Sequence, residues 1–268
     1  MKKSQRNFPY FYELQIKKTK KIIIFKNKNL FLMNQLLYLE KCFSTNDEII
    51  NHISEDEITT VYTFNQEKGR GQYGNQWKII PNQNLAYSLA VKNSEISIPN
   101  VFLNYYTAII VRDFLANLTK ATAKIKWPND IILNEKKTCG ILIEKRKIEN
   151  SEYVVIGIGI NVLQTNFADF PKAGSILSAT GLTFDLHGFT KKFHQEIISK
   201  LKNILSENEI LMTYNAHLFR KNEISVFQKN NLRQNGRIKT ADANGFLWID
   251  LENEGLQKFF HKEIEMIY

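Results

Sequence analysis

An α+β domain followed by a small all-β unit is the architecture this sequence predicts, and three observations predict it. Strand-like segments come in adjacent, hairpin-spaced groups, which excludes a simple doubly wound parallel sheet. Helical spacing of apolar residues is confined to a short stretch near 44–53, to 99–120 and to two segments within 188–220. From about residue 222 onward the chain reads only as short strands and turns, the pattern of a small β-barrel.

The elements follow in order. "QLLYLEKCF" (35–43) reads as a strand, and "STNDEIINHI" (44–53) as a helix that Ser44 or Thr45 caps, with acids in the first turn and an Ile49, Ile50, Ile53 stripe. "TTVYTFNQ" (59–66) is a β-branched and aromatic strand. Three glycines make "EKGRGQYGNQW" (67–77) a loop. "NLAYSLAV" (84–91) is a strand and 99–120 a helix. Then come strands in "AKIKW" and "DIIL", a turn at "NEKK", a strand in "TCGILIEKR", a turn at "NSE" and a buried strand in "YVVIGIGINV" (153–162). A hairpin of Ile131–Leu133 with Ile141–Ile143 is expected. The segment 188–220 gives two helices, and "EISVFQ", "RQNGRIKTAD", "GFLWIDLE" and "GLQKFFH" supply the closing strands.

Charge separates the front of the chain from the rest. The net charge of the 268 residues is +9, but residues 1–32 hold nine Lys and Arg against the single acid Glu13, which leaves residues 33–268 at about +1. A nearly neutral domain has no global footprint for nucleic acid, so none is expected as a partner. Residues 1–32 read as a basic extension, with Met33 as an expected alternative start; 33–221 read as the main domain and 222–268 as the barrel. Cys42 and Cys139 cannot build a disulfide framework, which suits a reducing compartment. The five histidines have no ligand spacing, so no protein metal site is expected. No apolar run is long enough for a membrane span, and a cytoplasmic protein without a membrane partner is the expectation.

Three segments carry candidate chemistry. In "GRGQYGNQW", Gly69, Gly71 and Gly74 allow close approach of backbone N–H groups to a ligand, and the Arg70 guanidinium can fork onto a phosphate or carboxylate. The spacing is neither a P-loop nor a dinucleotide fingerprint, and a long hairpin connection explains it equally well. In "KWPNDIILNEKKTCGILIE" (126–144), Pro128 interrupts the strand and exposes Asn129 and Asp130 at a sheet end. Lys137 either points into a pocket across the turn or is a solvated turn lysine. In "VVIGIGINV", Gly157 and Gly159 clear one strand face, either for a flat ligand or for close packing of another element, and Asn161 ends the strand with an amide that can donate and accept.

Together with "STN" (44–46), these motifs in this order resemble the biotin–protein ligase family over about residues 33–268. The resemblance implies a class II aminoacyl-tRNA-synthetase-like catalytic domain with a C-terminal SH3-like β-barrel. It implies activation of biotin by MgATP to biotinyl-5′-adenylate, then transfer to a lysine of the biotin carboxyl carrier protein of acetyl-CoA carboxylase. No enzyme nucleophile is required; positioning and charge stabilisation suffice. By the resemblance, Ser44, Thr45, Asn46 and Gln66 would bind the biotin ring, while Gly69, Arg70 and Gly71 would lie along its carboxylate and the ATP phosphates. Lys137 would bridge carboxylate and α-phosphate, and Trp77 and Gln72 would line the adenylate end. Gly140, Gly157 and Ile160 would shape the biotin slot. Asn161 would hold the phosphate or its Mg²⁺, which arrives with ATP rather than on a dedicated protein site. Asp130 would face the incoming carrier lysine, with Lys126 in support.

This sequence departs from the family at two places. Gln72 and Tyr73 stand where many relatives carry basic residues, and no helix-turn-helix pattern precedes the catalytic part, so a monofunctional ligase is expected. The rivals are a lipoate–protein ligase and a non-catalytic nucleic-acid-binding regulator that uses the basic leader. Oligomeric state, including a homodimer, stays open at this level.

Overall fold

The computed structural model describes residues 22–25, 35–54 and 58–268. In chain order they form strands β1 (Ile22–Phe25) and β2 (Gln35–Leu39), helix α1 (Thr45–Glu48), and strands β3 (Thr59–Thr63), β4 (Gly69–Arg70), β5 (Gln76–Trp77) and β6 (Asn84–Lys92). Helix α2 (Asn100–Thr119) precedes β7 (Ala123–Lys126), β8 (Asp130–Leu133), β9 (Lys136–Ile148) and β10 (Ser151–Asn161). Helices α3 (Ile176–Thr180), α4 (Leu186–Leu201) and α5 (Glu207–Ala216) follow. The chain closes with β11 (Ile224–Lys229), β12 (Leu232–Ala241), β13 (Leu247–Leu251), β14 (Gly255–Phe259) and β15 (Glu265–Ile267).

The larger sheet has eight strands in the order β1-β2-β3-β6-β10-β9-β8-β7. Its neighbours are antiparallel except β2 and β3, which run parallel across the crossover that contains α1. Side chains alternate along a strand, and here the alternation gives two unlike faces. Leu85, Tyr87 and Leu89 of β6, with Val154, Ile156 and Ile158 of β10, belong to the main apolar core beneath α2 and α4. The residues between them, Ala86, Ser88, Ala90, Gly157 and Gly159, are small and face the other way. A second, smaller cluster of Leu37, Leu39, Cys42, Ile49, Val61, Ala90 and Val155 covers that other face toward the β2 end. The middle of the face is left shallow.

Two histidines on α4 tie the helix layer to the sheet. The Tyr62 and Tyr87 hydroxyls meet Nδ1 of His187 and His194, each at 2.9 Å. Burial pushes the His194 imidazole down to about 4, so it is neutral at pH 7.

The second sheet is antiparallel, with five strands in the order β14-β13-β12-β11-β15. Its β14 and β15 do not pair among the described residues, so the barrel is not closed there. Phe227, Ile238, Ile249, Leu251 and Phe259 join its inner face to the main core. The Asn215 side chain of α5 pins β12 by accepting from Ala241 N (2.7 Å) and donating to Ala241 O (2.9 Å). Together these features give the expected α+β fold.

Several local expectations need correction. The helix read over 44–53 is α-helical only at Thr45–Glu48 and continues as a 3-10 turn at Ile49–His52. Ser44 is its N-cap residue, but the hydroxyl makes no capping bond. The glycine loop contains a small hairpin, β4 with β5. Ile131 pairs with Cys139 and Leu133 with Lys136, so the hairpin partner of 131–133 is 136–139, not Ile141–Ile143. Asn129 is buried rather than exposed, and its amide donates to Ile141 O. The basic stretch 1–32 and Met33 lie outside the described residues, apart from the backbone of β1 at the sheet edge beside β2. Among the described residues no helix is long and apolar enough to cross a membrane.

Candidate active site

Cross-strand pairing builds the floor of a cleft. Residues directly opposite on neighbouring strands share a face. Thr63 pairs with Ala86, Ala86 with Gly159, Gly159 with Gly140, Gly140 with Asp130, and Asp130 with Lys126. A single row therefore crosses six strands on the shallow face and ends at two charges. The next row, Ser88–Gly157–Leu142, runs beside it.

The glycine gaps are already filled by protein groups. A Cβ on Gly157 would lie 2.2 Å from Asn46 Oδ1, and one on Gly159 would lie 2.3 Å from Trp77 Cε2. The Asn46 amide and the Trp77 indole thus rest on backbone where any side chain would collide. Of the two explanations for these glycines, close packing holds in this structure. The cavity that remains is about 120 Å³, below the roughly 300–1,000 Å³ of sites that take drug-sized ligands. A ligand lying along the glycines must move the indole. Trp77 Nε1 is buried without a hydrogen-bond partner, a polar group still open to one.

Lys137 reaches this face through a β-bulge. The register of β8 with β9 shifts between Ile131 and Ile132, where Thr138 is the extra residue. Without it Lys137 would share the core side with Cys139; with it Lys137 pairs with Ile132, on the side of Asp130. Its backbone is clamped by Lys137 N donating to Lys172 O (2.8 Å) and Gly174 N donating to Lys137 O (3.0 Å). Lys137 Nζ lies 2.7 Å from Asp130 Oδ1 and 5.8 Å from the centre of the Trp77 ring. Lys137 is a pocket lysine, not a solvated turn lysine. Beside this pair, burial lowers the pKa of Lys126, against the opposing pull of Asp130. Cys139, on the core side, has its thiol pushed up by burial and is a poor nucleophile.

At the other end of the cleft, Gln66 Oε1 accepts from Thr45 N (2.8 Å) and lies 3.2 Å from Thr45 Oγ1. Ser44, Thr45, Asn46 and Gln66 are all buried and line the cavity together with Gly71, Gln72 and Gly140. Arg70 does not face an open anion site. Its guanidinium forks onto Glu144 (3.2 and 3.0 Å) and meets Asp47 at 2.7 Å. Arg146 joins the same two acids at 3.0 and 3.2 Å.

Two expected residues are elsewhere. Ile160 points into the core with Ile156 and Ile158, because it is out of step with Gly157 and Gly159 on an alternating strand. Asn161 is buried with its amide donating to Gly174 O at 3.0 Å, a bond that holds the Lys137 clamp rather than a phosphate or cation. Gly69 lies under the hairpin, where a Cβ would strike Trp77 O at 2.2 Å. Among the described residues no group of three or more His, Cys, Asp or Glu side chains forms a metal cluster.

Sequence reasoning missed Ser88, Glu144, Asp47, Arg146 and His261. Glu144 had a signal, since it continues the count of two from Gly140 and Leu142. His261 had none. It enters the cleft wall from the turn after β14, with its ring 5.7 Å from Trp127 and 4.8 Å from Tyr73. The neighbouring Lys262 Nζ donates to Tyr73 O at 3.2 Å. Tyr73, at φ 55°, is thus held by the second sheet.

Residues 41–161, which contain the glycine loop, the Lys137 bulge and both glycines of β10, match the model of the biotin/lipoate A/B protein ligase family. Over those residues the chain is similar to that family. Within it, the similar proteins are biotin ligases. The chain is 27% identical over 245 residues to the bifunctional ligase/repressor BirA of Bacillus subtilis, covering 88% of this chain and 75% of that one. It is 32% identical over 114 residues to a biotin–[acetyl-CoA-carboxylase] ligase of Paracoccus denitrificans, 41% of this chain and 45% of that one. The chain spans about half the length of several curated relatives it matches, such as 54% of the BirA of Salmonella typhimurium. In fold it matches the biotin protein ligase of Aquifex aeolicus in complex with biotin and ATP, at a TM-score of 0.71 and 24% identity over 87% of this chain and 98% of that one.

Proposed function

We infer that this chain is an ATP-dependent biotin–protein ligase. MgATP and biotin enter as substrates, a biotin carboxylate oxygen attacks the α-phosphorus, and pyrophosphate leaves. The amine of a lysine on the biotin carboxyl carrier protein of acetyl-CoA carboxylase then attacks the acyl carbon of the adenylate, and AMP leaves.

The observation that carries this reading is the Lys137–Asp130 pair at one end of a small-residue floor whose other end is a buried polar cluster. Two anions must meet for the first step. The Lys137 ammonium, brought onto the cleft face by the bulge, offsets their repulsion and takes up the charge that develops between them. Thr45, Asn46 and Gln66 offer donors and acceptors for the ureido ring, with Ser44 and Ser88 beside them. Trp77 covers the slot, and Gly71 and Gln72 border the nucleotide end. Asp130 holds Lys137 until a ligand arrives and then faces the carrier amine, whose proton it can accept. Residues 33–221 form the catalytic unit in this reading and 222–268 the barrel unit, in a cytoplasmic enzyme that acts on protein and not on nucleic acid.

The test is to mix the protein with MgATP, biotin and a carrier domain and weigh the carrier. A mass gain equal to one biotin less one water is expected. A gain with lipoate and none with biotin assigns the rival acid, and no gain with either refutes the ligase reading.

A further inference from the structure

We propose that Glu144 is a positioning residue that sets both the Asn46 amide on the cleft floor and the Arg70 guanidinium at its rim. The proposal rests on the ligase reading above. Glu144 Oε2 accepts from Asn46 Nδ2 at 2.9 Å, from Arg70 Nη2 at 3.0 Å and from Arg146 Nη2 at 3.2 Å, while Oε1 accepts from Arg70 Nη1 at 3.2 Å. Two oxygens on one guanidinium fix its plane as well as its place.

The chemistry of the carboxylate decides the orientation of everything inward of it. An ionised carboxylate only accepts, so the NH₂ end of Asn46 must face Glu144 and the oxygen must face away. That oxygen is 2.6 Å from Ser88 Oγ, which donates to it. With its one proton given to Asn46, Ser88 Oγ accepts from the Thr45 hydroxyl at 2.8 Å, and the Thr45 N–H remains as the donor to Gln66 Oε1 at 2.8 Å. A continuous chain therefore runs Gln66–Thr45–Ser88–Asn46–Glu144–Arg70, and its polarity is set at the charged end. Ser88, Thr45 and Asn46 are at most 4% exposed, so water is not at hand to restore a bond lost from this chain.

Asp47 is the contrast within the same cluster. It meets Arg70 and Arg146 through one oxygen at 2.7 and 3.0 Å and is 54% exposed, against 22% for Glu144. Its side-chain bonds go to the two arginines. A ligand anion arriving at Arg70 displaces Asp47 and leaves the Glu144 fork in place.

Glu144→Gln separates these roles. If its oxygen takes the place of Oε2, its NH₂ opposes Arg70 Nη1; if it takes the place of Oε1, the NH₂ opposes Asn46. One partner is lost outright either way, and loss of the negative charge weakens the other contact, so both the Asn46 amide and the Arg70 guanidinium are held less firmly. On the full chain, calorimetry with biotin alone and with MgATP alone should show Kd raised at least tenfold for biotin and at least fivefold for MgATP. In pyrophosphate release, KM for both should rise while kcat at saturation stays within about threefold. Asp47→Asn should leave MgATP affinity equal or tighter.

Affinities of Glu144→Gln within twofold of wild type, weakening of only one ligand, a kcat loss with unchanged KM, or an equal loss in Asp47→Asn would each overturn the proposal. Should Glu144→Gln fail to fold, Glu144→Asp keeps the charge but cannot span both partners, and unchanged affinities in it are equally fatal. Wild-type protein that binds neither biotin nor MgATP overturns the ligase reading, and this proposal with it.

Discussion

Replacing Gly159 with alanine puts a methyl group where the Trp77 indole lies. The new Cβ would be 2.3 Å from Cε2, 2.4 Å from Nε1 and 2.8 Å from Cζ2, and ordinary contact begins near 3.4 Å. The indole edge must therefore recede by about 1 Å. It cannot do so by moving its backbone inward, because the Trp77 carbonyl is pressed against Gly69. It must tilt outward. Overpacking of this kind costs about 1–3 kcal/mol. One side of the indole borders the cleft and can give, so a loss of about 1–2 kcal/mol in urea unfolding is expected. The methyl also stands on the floor where the acid would lie, and biotin affinity should fall by at least tenfold, about 1.4 kcal/mol. Gly140→Ala provides the gradient. Its Cβ would be 3.1 Å from the same ring, so its effects should be smaller. Calorimetry with biotin and tryptophan fluorescence during unfolding read both quantities. Unchanged stability and affinity in Gly159→Ala would show that neither the indole nor the ligand rests on that residue.

Two further outcomes follow from the geometry. Lys137→Ala should slow adenylate formation at least 10²-fold, about 2.7 kcal/mol at 1.36 per decade, and pyrophosphate release within threefold of wild type would remove that lysine from the mechanism. His194 should make stability fall as pH drops through the window between 6.5 and about 4, because burial holds the folded imidazole neutral there while the unfolded one takes up a proton. The loss amounts to about 3 kcal/mol at 1.36 per unit. Urea midpoints across that window should fall less steeply in His194→Gln, and identical slopes would contradict the burial of that ring.

Much of the site can be read in the sequence where chemistry is local. Gly157 and Gly159 declare a cleared strand face, and "NLAYSLAV" alternates large with small on the neighbouring strand. Counting by two already excludes Ile160 from the face of the glycines, and the family resemblance misplaced it. What stays hidden depends on pairing. Thr138 becomes a bulge only because β8 and β9 adopt a given register, so the direction of Lys137 has no local signal. Glu144 looks like an oddity in an apolar run until Arg70, 74 residues upstream, folds onto it. Asn161 looks exposed at a strand end until Gly174 returns to meet it.

The hold that the second sheet has on Tyr73 limits how this chain can be recombined. A tail borrowed from a relative, even one of identical shape, would arrive without the His261–Lys262 clasp unless those side chains came too. Tyr73, in the loop that leads to Trp77, would then lose that support. Chimeras spliced near residue 222 should thus inherit their ability to retain a reactive intermediate from the donor of the tail, not from the donor of the cleft.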